Sequence, residues 1–328
     1  MSAQVSPLID AATLAARLGE PRLRVLDASV ELPAARFDGD YRPASGLAGW
    51  LAAHIPGSRH ADLLEALADK RAGFGFALPD WPVLATALQR LGIGDDSAVV
   101  VYDRSDGFWA ARLWWMLRSL GLHARVLDGG WQAWRAAGWP EESGDAADIE
   151  PGTITLRPRP ELWADRRHVE AVVAGRAPGT LVCALPAPLF AGSAPTRYAR
   201  RGHIPGSLNL PARDLFGADG RYLPVHRLEQ LLAPLRASAR PLLPYCGGGI
   251  SAAAQALALT LVGETDIALY DGSLQEWAAD PSLPLVVDEA PSRAARGAPT
   301  AEGCSVGGGF TPQNPPPKTH PSRNPPPP

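Results

Sequence analysis

At 328 residues the chain is long enough for two ordinary cores, since single cores usually stop growing near ~250 residues. An apolar content of 46% and a charged content of 20% are those of a globular protein, and a formal net charge of −3 gives no electrostatic reason to expect nucleic acid as a partner. Three scattered cysteines, Cys183, Cys246 and Cys304, argue against a disulfide framework, and none has zinc-ligand spacing to another Cys or His.

Residues 1–18 show no basic segment followed by a long apolar one, so no signal peptide is expected. The most apolar stretch, 252–262, is about half the length a membrane crossing needs. The expectation is a cytoplasmic protein with no membrane partner, no metal and no cofactor. The first elements are an amphipathic helix over 9–18, a short apolar strand at 23–27 and a long loop carrying His54-Ile55-Pro56-Gly57-Ser58. A strand at 99–102, a helix over 108–120 and a strand at 125–127 follow. Residues 141–160 read as a linker, acidic and Gly/Ala-rich to 152, with a short alternating strand at 153–156.

The order then repeats: helix 164–173, strand 179–183, His203-Ile204-Pro205-Gly206-Ser207, strand 242–245, helix 251–262, strand 267–270. Residues 101–134 lie on 244–277 without a gap at a constant offset of 143, placing Asp103 on Cys246 and Trp134 on Trp277. The His-Ile-Pro-Gly turns recur at an offset of 149, so the period is that of a duplicated domain rather than a solenoid unit. The expected domains are 1–140, non-catalytic, and 161–289, catalytic, with 290–328 a disordered Pro/Gly-rich tail. The βαβ rhythm predicts an α/β fold in which each half is an open, mainly parallel sheet flanked by helices, with any site at the C-terminal ends of the strands.

Cys246 directly follows a buried strand and precedes Gly247-Gly248-Gly249-Ile250-Ser251-Ala252, which runs into a helix. Three glycines let successive N–H groups turn inward, and the helix start adds roughly half a positive charge. Such a loop is expected to lower the thiol pKa and to hold a persulfide anion afterwards. His54 and His203 occur in both copies while the cysteine occurs in one, so they read as structural; Cys183 closes a strand and reads as buried.

In these motifs, residues 5–288 resemble the tandem-domain rhodanese and 3-mercaptopyruvate sulfurtransferase family. The segment from Cys246 to Ala252 is similar to the family's Cys-Gly-Ser-Gly-Val-Thr-Ala loop; the two His-Ile-Pro-Gly turns and Asp128-Gly129-Gly130 with Trp134 also match. The resemblance implies two rhodanese-like domains, a degenerate first copy, and a sulfurtransferase that moves a sulfane sulfur through Cys246. Its partners are a small donor of thiosulfate or 3-mercaptopyruvate type and a thiol or cyanide-like acceptor. It also implies a Ser, a His and an Asp that assist proton transfer. Here only Asp62 matches, with Gly248 and Phe76 at the other positions. Among the arginines before the second His-Ile-Pro-Gly turn, Arg197, with Arg200 and Arg201, offers the best remaining anion contacts.

Other readings stay open. A Cys-led phosphatase loop needs Arg six residues after the cysteine, where Ala252 stands. Gly247, Gly249 and Ala252 satisfy a dinucleotide-binding pattern, but that leaves Cys246 without a role. A non-enzymatic persulfide carrier or rhodanese-like regulatory module keeps the fold and drops efficient catalysis.

Overall fold

The computed structural model describes residues 6–288. Twelve short strands are present among them: β1 Leu8–Ile9, β2 Leu23–Asp27, β3 Val30–Glu31, β4 Ala44–Ser45, β5 Arg59–His60, β6 Ala98–Tyr102, β7 Ala124–Leu127, β8 Trp163–Ala164, β9 Thr180–Cys183, β10 Leu208–Asn209, β11 Leu242–Tyr245 and β12 Leu269–Tyr270. In the first half, five of them form a parallel sheet in the order β1-β7-β6-β2-β5. In the second half β10-β9-β11 and β12-β8 are both parallel, and a Leu242–Ile267 bridge joins them. The resulting order β8-β12-β11-β9-β10 repeats that of the first half. β3 and β4 form a small antiparallel hairpin apart from the sheets.

The central strands are apolar runs buried on both faces, as Val99, Val100 and Val101 in β6 and Leu242 and Leu243 in β11 show. After each comes a helix, Phe108–Ser119 in the first half and Ser251–Leu261 in the second. Both are buried nearly all round, which a helix sustains only in the middle of a core. They pack against one another, and the second, rich in buried alanines, is slim enough to let the backbones approach. The two loops that open these helices therefore lie where the halves meet.

Several sequence expectations shift at their edges. The helix expected over 9–18 is Ala11–Ala15, because Asp10 caps it by accepting the Thr13 N–H at 2.8 Å, and residues 8–9 pair as β1. Its counterpart over 164–173 is Arg166–Val173, capped by Asp165 through the His168 N–H in the same way. No strand forms at 153–156. Thr153 instead accepts from the Asp95 N–H and the Thr155 N–H donates to the Asp95 carboxylate, so this segment spends its hydrogen bonds on a turn of the first half. The 141–160 segment runs along that half, with the His54 N–H donating to the Glu142 carbonyl and the Gly152 N–H to that of Gln89. The tail expected over 290–328, with Cys304, lies outside the described residues.

Candidate active site

Cys246 leaves the end of β11, beside Cys183 at the end of β9 and the Ala184 that follows it, with Sγ on a loop whose backbone is fastened from behind. The Cys246 N–H donates to Ser273 Oγ at 3.1 Å, and its carbonyl accepts from the Leu274 N–H at 3.0 Å. The Gly247 carbonyl accepts from the Gln275 N–H at 2.8 Å. Gly249 has φ +75°, and a Cβ there would stand 2.9 Å from the Asp271 carbonyl and 3.0 Å from Arg112 Nη1, so only glycine fits. A side chain at Gly248 would meet the Gln275 amide at 3.2 Å. The serine that the family resemblance expects at 248 would have to displace that amide.

Among the described residues, the Gly248 and Ile250 N–H groups donate to no carbonyl or side chain. What such donors can hold is visible in the other half. Asp103, at the position of Cys246, is 1% exposed, and its Oδ1 accepts the Ser105 and Gly107 N–H groups at 2.9 and 3.0 Å. Its Oδ2 accepts the Ala110 N–H at 2.9 Å. At the 143-residue offset these donors become Gly248, Ile250 and Ala253. Burial raises the Asp103 pKa while the three N–H groups pull it down, as expected of an anion held in a cradle away from water.

The two loops differ in access. Cys246 opens into a cavity of about 530 Å³, lined on one side by Phe76, Phe108 and Trp109 of the first half and on the other by Leu185, Leu189 and Arg197. Asp103 is covered by the 212–222 segment, where Arg213 pairs with Asp106 at 2.6 Å and Phe216 packs on Phe108.

Of the expected site residues, the structure brings Arg197, Gly247, Gly248, Ile250 and Ser251 to the cavity with Cys246. Gly249 and Ala252 support it from behind. Arg197 donates to the Leu32 and Pro33 carbonyls at 3.2 and 2.9 Å, which fixes its guanidinium at the rim. Burial pulls its pKa down, and the charges of Tyr41 and Cys246 act in the opposite sense. Arg201 and Asp62 are not brought there. Arg201 pairs with Asp38 at 3.0 Å, and Asp62 faces a separate cavity beside His60 and Arg90, where its Oδ1 caps the N–H of Leu64 at 2.8 Å. Arg200 donates to four carbonyls, those of Trp277, Ala278, Asp280 and Leu283, and so fastens the 277–283 segment rather than facing the cavity.

His54 and His203 each stack on an aromatic ring, Trp50 and Phe190, and hold a carbonyl through Nδ1, which is the structural role their repetition suggests. Cys183 is buried, and desolvation pushes its thiol up to about 12.

Four further residues belong to the site that the sequence alone does not assign to it. Ser273 has φ +48° and stands opposite Gly130, φ +53°, in the repeat; a non-glycine in that conformation marks a position kept for its side chain. Arg112 is fully buried and reaches across from the first half: its Nη2 donates to the Phe76 carbonyl at 2.7 Å and to Asp271 Oδ1 at 2.6 Å, and its guanidinium lies 4.7 Å from the Trp163 ring. Gln275 accepts the Gly75 N–H at 2.8 Å. Tyr198 lies against Gly247, and burial raises the pKa of its phenol, with the charges of Cys183 and Cys246 acting in the same sense.

The rhodanese-like domain family matches residues 10–137 and 191–280. The chain belongs to the rhodanese family. It is 37% identical over 290 residues to a protein of Pseudomonas aeruginosa described as "Probable 3-mercaptopyruvate sulfurtransferase", covering 86% of this chain and 98% of that one. It is 32% identical to the mitochondrial thiosulfate/3-mercaptopyruvate sulfurtransferase 1 of Arabidopsis thaliana, over 85% of this chain and 78% of that one. The crystal structure of SseA from Escherichia coli superposes with a TM-score of 0.71 at 29% identity, covering 82% of this chain and 98% of that chain. This rhodanese is therefore a sulfurtransferase of the tandem-domain kind, with mainly parallel sheets flanked by helices in both halves.

Proposed function

We propose that Cys246 accepts a sulfane sulfur as a persulfide and hands it to a thiophilic acceptor, with the first half (1–140) supplying one wall of the cleft and the second (161–289) the reacting loop. The observation that carries this is the pair of homologous loops. One holds a buried carboxylate by three N–H donors, and the other presents a thiol to a cavity of about 530 Å³ with the equivalent Gly248 and Ile250 donors uncommitted. The Cys246 thiolate attacks the outer sulfur of the donor, the donor's bond pair leaves with the remainder, and the new terminal sulfur carries its charge into the N–H cradle. Ser273 and Leu274 hold the Cys246 backbone during both half-reactions.

Among small donors, thiosulfate releases sulfite and needs no proton, whereas 3-mercaptopyruvate releases pyruvate as its enolate, which must take up a proton. The proton relay is absent, because Gly248 and Phe76 replace two of its members and Asp62 faces elsewhere. Thiosulfate use is therefore expected to be weak, held by backbone N–H groups and Arg197, with 3-mercaptopyruvate slower at neutral pH. A reducing, cytoplasmic setting suits a chain whose Cys183 and Cys246 are both free thiols. Steady-state kinetics test the scheme: donor and acceptor varied together should give parallel double-reciprocal lines, and Arg197→Ala should raise KM for thiosulfate. Intersecting lines, or tight and rapid 3-mercaptopyruvate turnover, would remove the basis for it.

A further inference from the structure

Phe76 is held in a backbone conformation that its own side chain resists. Its φ is +62°, where a bulky L-residue is a genuine outlier. The repeat shows what would serve there at no strain. Helix Trp81–Arg90 lies on helix Val225–Arg236 at an offset of 144, and Asp271 binds the Leu78 N–H as Asp128 binds that of Tyr222. In that register Phe76 stands on Gly220, whose φ is +73°. The turn thus calls for glycine in both halves, and only the half that faces Cys246 has an aromatic ring.

Three bonds from around the active loop keep the ring in place. Arg112 takes the Phe76 carbonyl, Gln275 the Gly75 N–H and Asp271 the Leu78 N–H. The ring meets Trp109 edge to face, with centroids 4.9 Å apart, and with Phe108 they make one wall of the cavity apolar, while Leu185 and Leu189 add apolar surface beside Arg197 on the other. The cations at that cavity are Arg197, anchored by two carbonyls, and Arg213, already paired with Asp106. A cavity of about 530 Å³ is of the size that encloses a drug-sized molecule, far beyond a donor of a few heavy atoms.

Resting on the persulfide reading of Cys246, we infer that the acceptor of this rhodanese is an organic thiol with an apolar, preferentially aromatic body and one anionic group, the body lying on Phe76 and Trp109 and the anion on Arg197. In the transfer, a lone pair of the acceptor thiolate forms a bond to the outer persulfide sulfur. The pair of the breaking sulfur–sulfur bond returns to Cys246 as thiolate, and the product leaves as the acceptor's persulfide, with no net oxidation.

The test loads the full-length protein with thiosulfate at high concentration and follows discharge by intact mass with three alkyl thiols: 4-(mercaptomethyl)benzoate, phenylmethanethiol and 3-mercaptopropionate. Their rates are compared as second-order constants per thiolate, and cyanide discharge reports whether sulfur was loaded at all. Burial of one phenyl group predicts that the benzoate outruns 3-mercaptopropionate by roughly tenfold or more. Phe76→Ala should shrink that ratio to below about threefold, Phe76→Leu should keep part of it, and Arg197→Ala should bring the benzoate down to phenylmethanethiol. Equal rates for the benzoate and 3-mercaptopropionate in the parent protein, or an undiminished ratio in both Phe76 variants, would overturn the inference. A protein that takes up no more sulfur than its Cys246→Ser variant refutes the persulfide reading itself, and the acceptor assignment with it.

Discussion

The loops that begin at Asp103 and Cys246 are the same structure put to two uses. Both follow a buried central strand, both open a helix packed at the interface, and each is overlain by a segment of the opposite half. In the first, Asp103 supplies its own anion to the N–H cradle, and Arg213, Phe216 and Tyr222 close over it. In the second, glycines replace Arg104, Ser105 and Asp106, the residue at the strand end is a thiol, and the overlying segment leaves a cavity. The cradle is thus a property of the fold, whereas the chemistry depends on whether the anion is permanent or exchangeable.

The sharpest way to break this comparison is to make the loops alike. Cys246→Asp should reduce sulfur transfer to background while the protein still folds, since the homologous cradle already accommodates a carboxylate; activity assay and thermal midpoint together check it. Asp103→Cys in a Cys246→Ser protein should not restore activity, because its position is closed. The cross-domain tie comes next. Removing the cation by Arg112→Ala leaves Asp271 without its buried partner and should cost about 3–5 kcal/mol in denaturant unfolding, with slower transfer as the 75–78 segment loosens. Gly249→Ala forces a Cβ against the Asp271 carbonyl at positive φ and should cost about 1–3 kcal/mol, whereas Ala at the exposed Gly220 turn should cost less.

The smallest effect concerns pH. Burial raises the Asp103 pKa above its unfolded value, so the folded state binds the proton more readily. The contribution of Asp103 is fully present below the ordinary carboxylate range and is lost as pH rises through the raised pKa. The stability of the parent relative to Asp103→Asn should therefore fall between acid and neutral pH, as paired urea titrations would show; a rise would mean that the three N–H bonds outweigh desolvation.

Much of this was legible because the repeat aligns without gaps where it matters: Cys246, its glycines and the alternating βαβ order are all visible in one copy against the other. Helix starts were less so, since Asp10 and Asp165 act through caps that apolar periodicity does not register. Asp62 and Arg201 were misplaced because a motif match says nothing of which way a loop side chain turns, and each found a nearer partner in its own surroundings. Arg112 and Gln275 were unreadable as site residues, because their contacts run between halves more than a hundred residues apart in the chain. Ser273 opposite Gly130 was available as a signal in the 143-residue register of the sequence, although the strain that marks it shows only in the backbone, whereas Phe76 opposite Gly220 appears only in a register that the structure supplies.

The central claim is that one thiol carries the sulfur, and intact-mass analysis with peptide mapping after exposure to thiosulfate tests it directly. Cys183, buried and with its thiol pushed up to about 12, should remain unmodified, and the account predicts the mass of one sulfur atom, located on Cys246 and removed by cyanide. Sulfur found mainly on Cys183 or Cys304, or retained in the Cys246→Ser protein, would contradict it.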